Sequence, residues 1–153
     1  TATPSAGFPA IVRLMLNTGH AIDHMFLLIF ATAVATIAIE FGYDNWTDLM
    51  PYSVGAFALF GLGALPAGRL GDLWGRRSMM IIFFIGMGLS AMLVATTQNA
   101  WQLAAALTLM GAFAAIYHPV GIPMLVQNVP NPGAVIGLNG LAGNLGIAVA
   151  ALV

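Results

Sequence analysis

Apolar residues run through this chain in stretches longer than the core-facing stripes of a soluble domain, and polar residues are confined to short clusters between them. A helix that crosses a bilayer needs about 20 mainly apolar residues, and five stretches meet that need. The first runs from about Leu14 to Ile39 and ends in Glu40-Phe-Gly-Tyr-Asp-Asn-Trp-Thr-Asp48, a segment with acids, a glycine and interface-type aromatics. The second runs from about Pro51 to Ala67 and gives way to the charged turn Gly68-Arg-Leu-Gly-Asp-Leu-Trp-Gly-Arg-Arg77. The third, Ser78 to about Thr96, is closed by the polar turn Thr97-Gln-Asn-Ala100. The fourth starts near Trp101 and continues past Pro119 and Pro123 to about Val126. Asn128-Val-Pro-Asn-Pro-Gly133 reads as a loop from its Pro, Asn and Gly content, and the fifth stretch occupies Ala134 to Val153. The strands of a membrane β-barrel would be about half as long and would alternate in polarity; these stretches do not. The pattern predicts an all-α membrane protein with five transmembrane helices at about 14–39, 51–67, 78–96, 101–126 and 134–153, preceded by an N-terminal segment, residues 1–13.

Composition closes off the soluble alternative. Hydrophobic residues make up 60% of the 153 residues and charged ones 6%, with a mean hydropathy of +0.95. Soluble domains carry about 25% charged residues, so so few charges could not cover this chain's surface in water. The net charge of −1 and the lack of a basic run give no reason to expect a nucleic-acid partner. With no cysteine, disulfides, thiolate metal sites and cysteine nucleophiles are excluded. The chain begins at Thr1 and stops at Val153 inside an apolar run, so it is expected to be part of a longer protein, and its first apolar stretch is too long for a signal peptide.

Charge also sets an orientation. Arg13 precedes the first span, and Arg69, Arg76 and Arg77 fill the loop between the second and third, whereas the loop between the first and second has acids and no base. Basic residues in short loops favour the cytoplasmic side. The N-terminus is therefore expected on the cytoplasmic side of the membrane, and Trp46 and Trp101 at the opposite interface. Glycines mark the fifth span (Gly137, Gly140, Gly143, Gly146) and the second (Gly55, Gly61, Gly63). Small residues let membrane helices approach closely, which serves either static packing or a surface that slides during a cycle.

The most specific signal is the loop from Gly68 to Arg77. Gly68 and Gly71 allow close approach of helix ends, Gly75 suits a left-handed turn, and Asp72 is expected near a helix start, where exposed N–H groups favour a carboxylate, with Arg76 in reach. The segment resembles the signature loop of the major facilitator superfamily, Gly-x-x-x-Asp-(Arg/Lys)-x-Gly-Arg-(Arg/Lys), which lies between the second and third transmembrane helices of those transporters. Gly68, Asp72, Gly75, Arg76 and Arg77 match, and Leu73 departs, since a base is usual there. Three further stretches are similar to the fosmidomycin-resistance subgroup: Gly19-His-Ala-Ile-Asp-His-Met-Phe26, Ile116-Tyr-His-Pro119 and Gly140-Leu-Ala-Gly-Asn-Leu-Gly146. The resemblance implies the N-terminal bundle of a major facilitator fold lacking its sixth helix, working with the remaining half of the same transporter or within a larger membrane complex. It implies secondary-active transport of a small molecule by alternating access, with proton-coupled efflux by antiport among the forms it takes, no cofactor, and a gating role for the loop. One departure counts against routine proton coupling: members that use protons often carry an arginine four residues before a glycine in the fourth helix, and here Leu107 precedes Gly111.

Inside the spans lie His20, Asp23 and His24 in the first and His118 in the fourth. Ionisable groups within a bilayer are costly and usually face a cavity or the bundle interior. His20 and His24 share a helix face, with Asp23 about 60° round from His20. At 1.5 Å of rise per residue, His24 and His20 lie roughly 22 and 28 Å below the outer boundary and His118 about 25 Å below it. The histidines thus share one level, and the resemblance implies that the first and fourth helices both line a central cavity. The cluster reads as a substrate or proton site; the alternatives are a solvated or internally hydrogen-bonded group and a divalent-metal site. Pro119 removes the N–H that would bond the carbonyl of Ala115, a break tolerated in membranes where a cavity or neighbour meets the freed group. His20-x-x-Asp23-His24 also mimics the His-x-x-Glu-His pattern of inverted zinc proteases, but aspartate is shorter and no further ligand beyond His118 is evident, so an intramembrane metal-dependent enzyme ranks behind a transporter. A non-transporting membrane subunit derived from a transporter is the remaining alternative.

Overall fold

The computed structural model describes residues 7–152, so residues 1–6 of the N-terminal segment and Val153 lie outside the described residues. Among the described residues six α-helices form: α1 (Ala10–Glu40), α2 (Val54–Trp74), α3 (Arg76–Ala95), α4 (Ala100–Ala114), α5 (Tyr117–Val126) and α6 (Pro132–Ala150). A 3-10 segment, Trp46–Ser53, leads directly into α2, and no strand occurs among the described residues. Because α4 and α5 follow one path, and the 3-10 segment joins α2, the helices make five units long and apolar enough to cross a membrane.

Local chemistry explains most boundaries. Asn45, Asn99 and Asn131 each accept a backbone N–H at the start of the helix that follows, at 3.0, 3.0 and 3.1 Å, as N-cap side chains do. At the polar turn Gln102 also reaches back to the N–H of Gln98 at 2.9 Å. α4 stops at Ala114 because Pro119 cannot bond the carbonyl of Ala115; the chain tightens there, with Ile116 N–H on the Phe113 carbonyl at 3.1 Å, before α5 resumes.

The end of α2 differs from the sequence reading. The helix runs through Gly68 and Gly71 to Trp74, and only Gly75, at φ +87°, breaks it. A β-carbon on Gly68 would meet Cβ of Pro119 at 3.3 Å, and one on Gly71 would meet Cγ2 of Val120 at 3.0 Å. Contact with α5 therefore holds as helix two glycines whose intrinsic preference is for turns; tertiary packing outweighs a propensity cost of about 1 kcal/mol each.

α1 packs along α6, and α4 packs against both α2 and α3. One apolar cluster holds Leu16, Met80, Phe83 and Val120, and the other holds Phe30, Val34, Leu103 and Leu107. Along α1, His20 to His24 lie between Leu16, which the helix buries in the first cluster, and Phe30, which it buries in the second. Trp101 packs edge-on to Tyr52 at 5.3 Å, while Arg76 and Arg77 line a cavity of about 480 Å³ with Phe8 and Val12 at the start of α1 and Gln127 beyond α5. Trp101 and the Arg76–Arg77 pair thus mark different ends of the bundle.

Candidate functional site

α1 supplies His20, Asp23 and His24; the kink between α4 and α5 delivers His118 to the same place. The His20 ring lies 5.1 Å from that of His118 and 4.5 Å from that of His24, and the rings of His24 and His118 are 5.7 Å apart. Nε2 of His20 faces Nε2 of His24 at 3.1 Å. The helices therefore bring together the three histidines that the sequence put at one depth.

A polar network holds His20. Its Nδ1 lies 2.8 Å from the backbone carbonyl of Asn139 in α6, a contact that requires Nδ1 to carry the proton and leaves Nε2 with its lone pair. Tyr117 stacks on the imidazole, with centroids 4.9 Å apart and planes 9° from parallel. The Tyr117 hydroxyl donates to the Leu16 carbonyl at 2.7 Å and accepts from Nδ2 of Asn139 at 2.8 Å. Nδ2 of Asn139 also donates to Oδ1 of Asn17 at 2.9 Å. Gly143 makes room for the ring, since a β-carbon there would stand 2.8 Å from Cε1 of His20.

Asp23 is the contrary case. It is wholly buried, and neither carboxylate oxygen has a hydrogen-bond partner among the described residues. Nδ1 of His118 stands 3.8 Å from its Oδ2, beyond hydrogen-bond range. A carboxylate in such a place holds its charge only beside a cation or takes up a proton. His118 is half-buried, its side chain 36% exposed, and its ring meets Phe60 edge-on at 5.6 Å.

The loop residues are arranged differently from their sequence reading. Asp72 lies exposed in the last turn of α2, not at the start of the next helix, and no ion pair joins it to Arg76 among the described residues. Gly75 turns the chain between them, so Arg76 opens α3 and the two side chains are not neighbours on one helix. Gly68, by contrast, touches Pro119, the residue after His118, which connects this loop's helix to the ionisable cluster.

Sequence reasoning passed over Tyr117, Asn139 and Asn17 as site residues. The available signal was an amide within an apolar span, which needs a partner where water is absent; which carbonyl and ring it would serve depends on how α6 packs.

Five apolar spans that enclose a shared group of ionisable side chains are the framework of a multi-pass membrane protein. The family model described as Major Facilitator Superfamily matches residues 16–153, and the chain belongs to that superfamily, whose members are membrane transporters. No curated protein and no solved structure matches the chain.

Proposed function

We propose that this chain carries out secondary-active transport of a small molecule by alternating access, with His20, Asp23, His24 and His118 as the substrate or proton site. The observation that carries this reading is the buried Asp23 carboxylate, without a hydrogen bond, beside three clustered imidazoles. A stability role would favour satisfying such a group, whereas a transport cycle needs a site whose charge is completed and released. Leu107, where proton-coupled members carry arginine, is packed in an apolar cluster, so proton coupling, if the carrier is an efflux antiporter, falls to the histidine–aspartate group.

The three stretches that are similar to the fosmidomycin-resistance subgroup contribute His20, Tyr117, His118 and Gly143 to one place, which supports that placement. Gly68, Asp72, Gly75, Arg76 and Arg77 form the gating loop in this reading, and the contact of Gly68 with Pro119 gives it a route to the site. The arginine-marked end faces the cytoplasm of a bacterial inner membrane.

His24→Ala and His118→Ala in the full chain, reconstituted into vesicles, test the site. Each should cut transport per folded molecule by at least about tenfold, a floor below the roughly 10²–10⁴-fold that a positioned acid–base group contributes. Transport at the unaltered rate from variants that merely accumulate less would reduce the cluster to a structural element.

A further inference from the structure

We infer that the histidine cluster binds a divalent transition-metal cation of the Zn(II) or Co(II) type, an inference that rests on the site reading above and names the ligand class. His20, His24 and His118 each offer one ring nitrogen, and these atoms all lie within 4.8 Å of one another. Metal–nitrogen bonds of about 2.0–2.1 Å put neighbouring ligand nitrogens roughly 3.0–3.5 Å apart, and the His20–His24 nitrogens already stand at 3.1 Å. His118 has only to swing its half-exposed ring inward.

The surroundings fit a metal site in three further respects. The contact from Nδ1 of His20 to the Asn139 carbonyl is the outer contact that commonly fixes the tautomer and orientation of a ligating imidazole. Asp23 is an acidic group beside His118 with both oxygens free, and a dication on the three rings would supply the positive charge it lacks. Neutral imidazoles without thiolates suit borderline cations rather than Mg(II) or Ca(II), which prefer all-oxygen shells. Three protein ligands also leave a coordination position for water or for a carried molecule, and the 36% exposure of His118 keeps one side of the group open.

The test uses the purified full chain without a polyhistidine tag. Cobalt(II) chloride is titrated while visible ligand-field absorption is recorded, and equilibrium dialysis against zinc chloride gives the stoichiometry. The expected result is one cation per chain, with Asp23→Asn, His24→Gln and His118→Gln each weakening binding at least about tenfold. Since His24 and His118 are half-buried, their variants remain informative should His20 variants fail to fold. Absence of ligand-field bands and of retained zinc in the folded protein, or binding unchanged in the three single variants, overturns the inference. If the cation does not bind but His118→Ala still loses transport of an organic solute, the metal assignment falls and the site reading stands. If the histidines bind the cation while His118→Ala transports it normally, the metal assignment stands and the site reading falls.

Discussion

The α2–α4 and α1–α6 pairs both approach through glycine, yet they carry different chemistry. Where α4 meets α2, Gly111 lies so close to the carbonyl of Ala56 that no β-carbon could fit, and Gly55 faces Thr108 in the same way. The surroundings are apolar, with Leu103, Leu107 and Ala56 buried together. Where α6 meets α1, Gly146 stands against the carbonyl of Ala21 and Gly143 against His20, but here the interface includes Asn139, Asn17 and Tyr117. Glycine allows backbone approach in both. Only the second pair uses that approach to place a carbonyl on an imidazole. Close packing in this bundle is therefore a general device, and the polar site is an addition at one seam.

The largest break in that parallel should come from filling the apolar seam. Gly111→Val drives a side chain into the Ala56 carbonyl, which cannot rotate away. It should destabilise the purified protein by about 3 kcal/mol, at the upper end for overpacking, read as a fall in the thermal midpoint in detergent. A midpoint within a degree of the parent would show that the helices separate without penalty and that the two seams are not equivalent.

Asn139→Ala addresses the polar seam. It strips the amide donor from the Tyr117 hydroxyl and leaves Oδ1 of Asn17 unpaired, for a loss of about 2 kcal/mol. Because the Asn139 backbone carbonyl is kept, His20 should retain its Nδ1 contact. Thermal unfolding measured with Asn139→Ala and Asn17→Ala singly and together should then be clearly non-additive, as expected for members of one network.

Asp23→Asn separates the satisfied group from the unsatisfied one. Replacing a buried carboxyl group that makes no hydrogen bond should leave stability unchanged or raise it by up to about 1 kcal/mol, while transport falls. A destabilisation as large as that of Asn139→Ala would instead make Asp23 a structural partner of His118.

The smallest effect is expected at Gly137 and Gly140, where a β-carbon would meet nothing within 4 Å. Alanine there should raise stability by about 0.5 kcal/mol, the lower end of its helix-propensity gain over glycine. Impaired transport with intact stability in Gly140→Ala would mark this stretch of α6 as a surface that makes its contacts only during the cycle. The four glycines of the fifth span thus divide: Gly143 and Gly146 pack on α1, and Gly137 and Gly140 are open.

What the sequence determined by itself follows from the bilayer. Lipid offers no hydrogen bonds, so a spanning backbone must be helical or part of a closed barrel, with a length set by the hydrocarbon thickness; five apolar stretches too long and too uniform for barrel strands therefore sufficed to identify five spans. Helix geometry placed His20 and His24 on one face, and the rise per residue placed His118 at their level. The signature loop's residues carried the family. Packing alone decided the rest, because the groups concerned are far apart in the chain. Whether Asp23 would find a hydrogen bond, which carbonyl would hold His20, and what Tyr117 would stack on all depend on how α5 and α6 lie against α1. The end of α2 shows the same limit: Gly68 and Gly71 favour a turn locally, and they stay helical because Pro119 and Val120 of α5 occupy the space that their missing side chains leave.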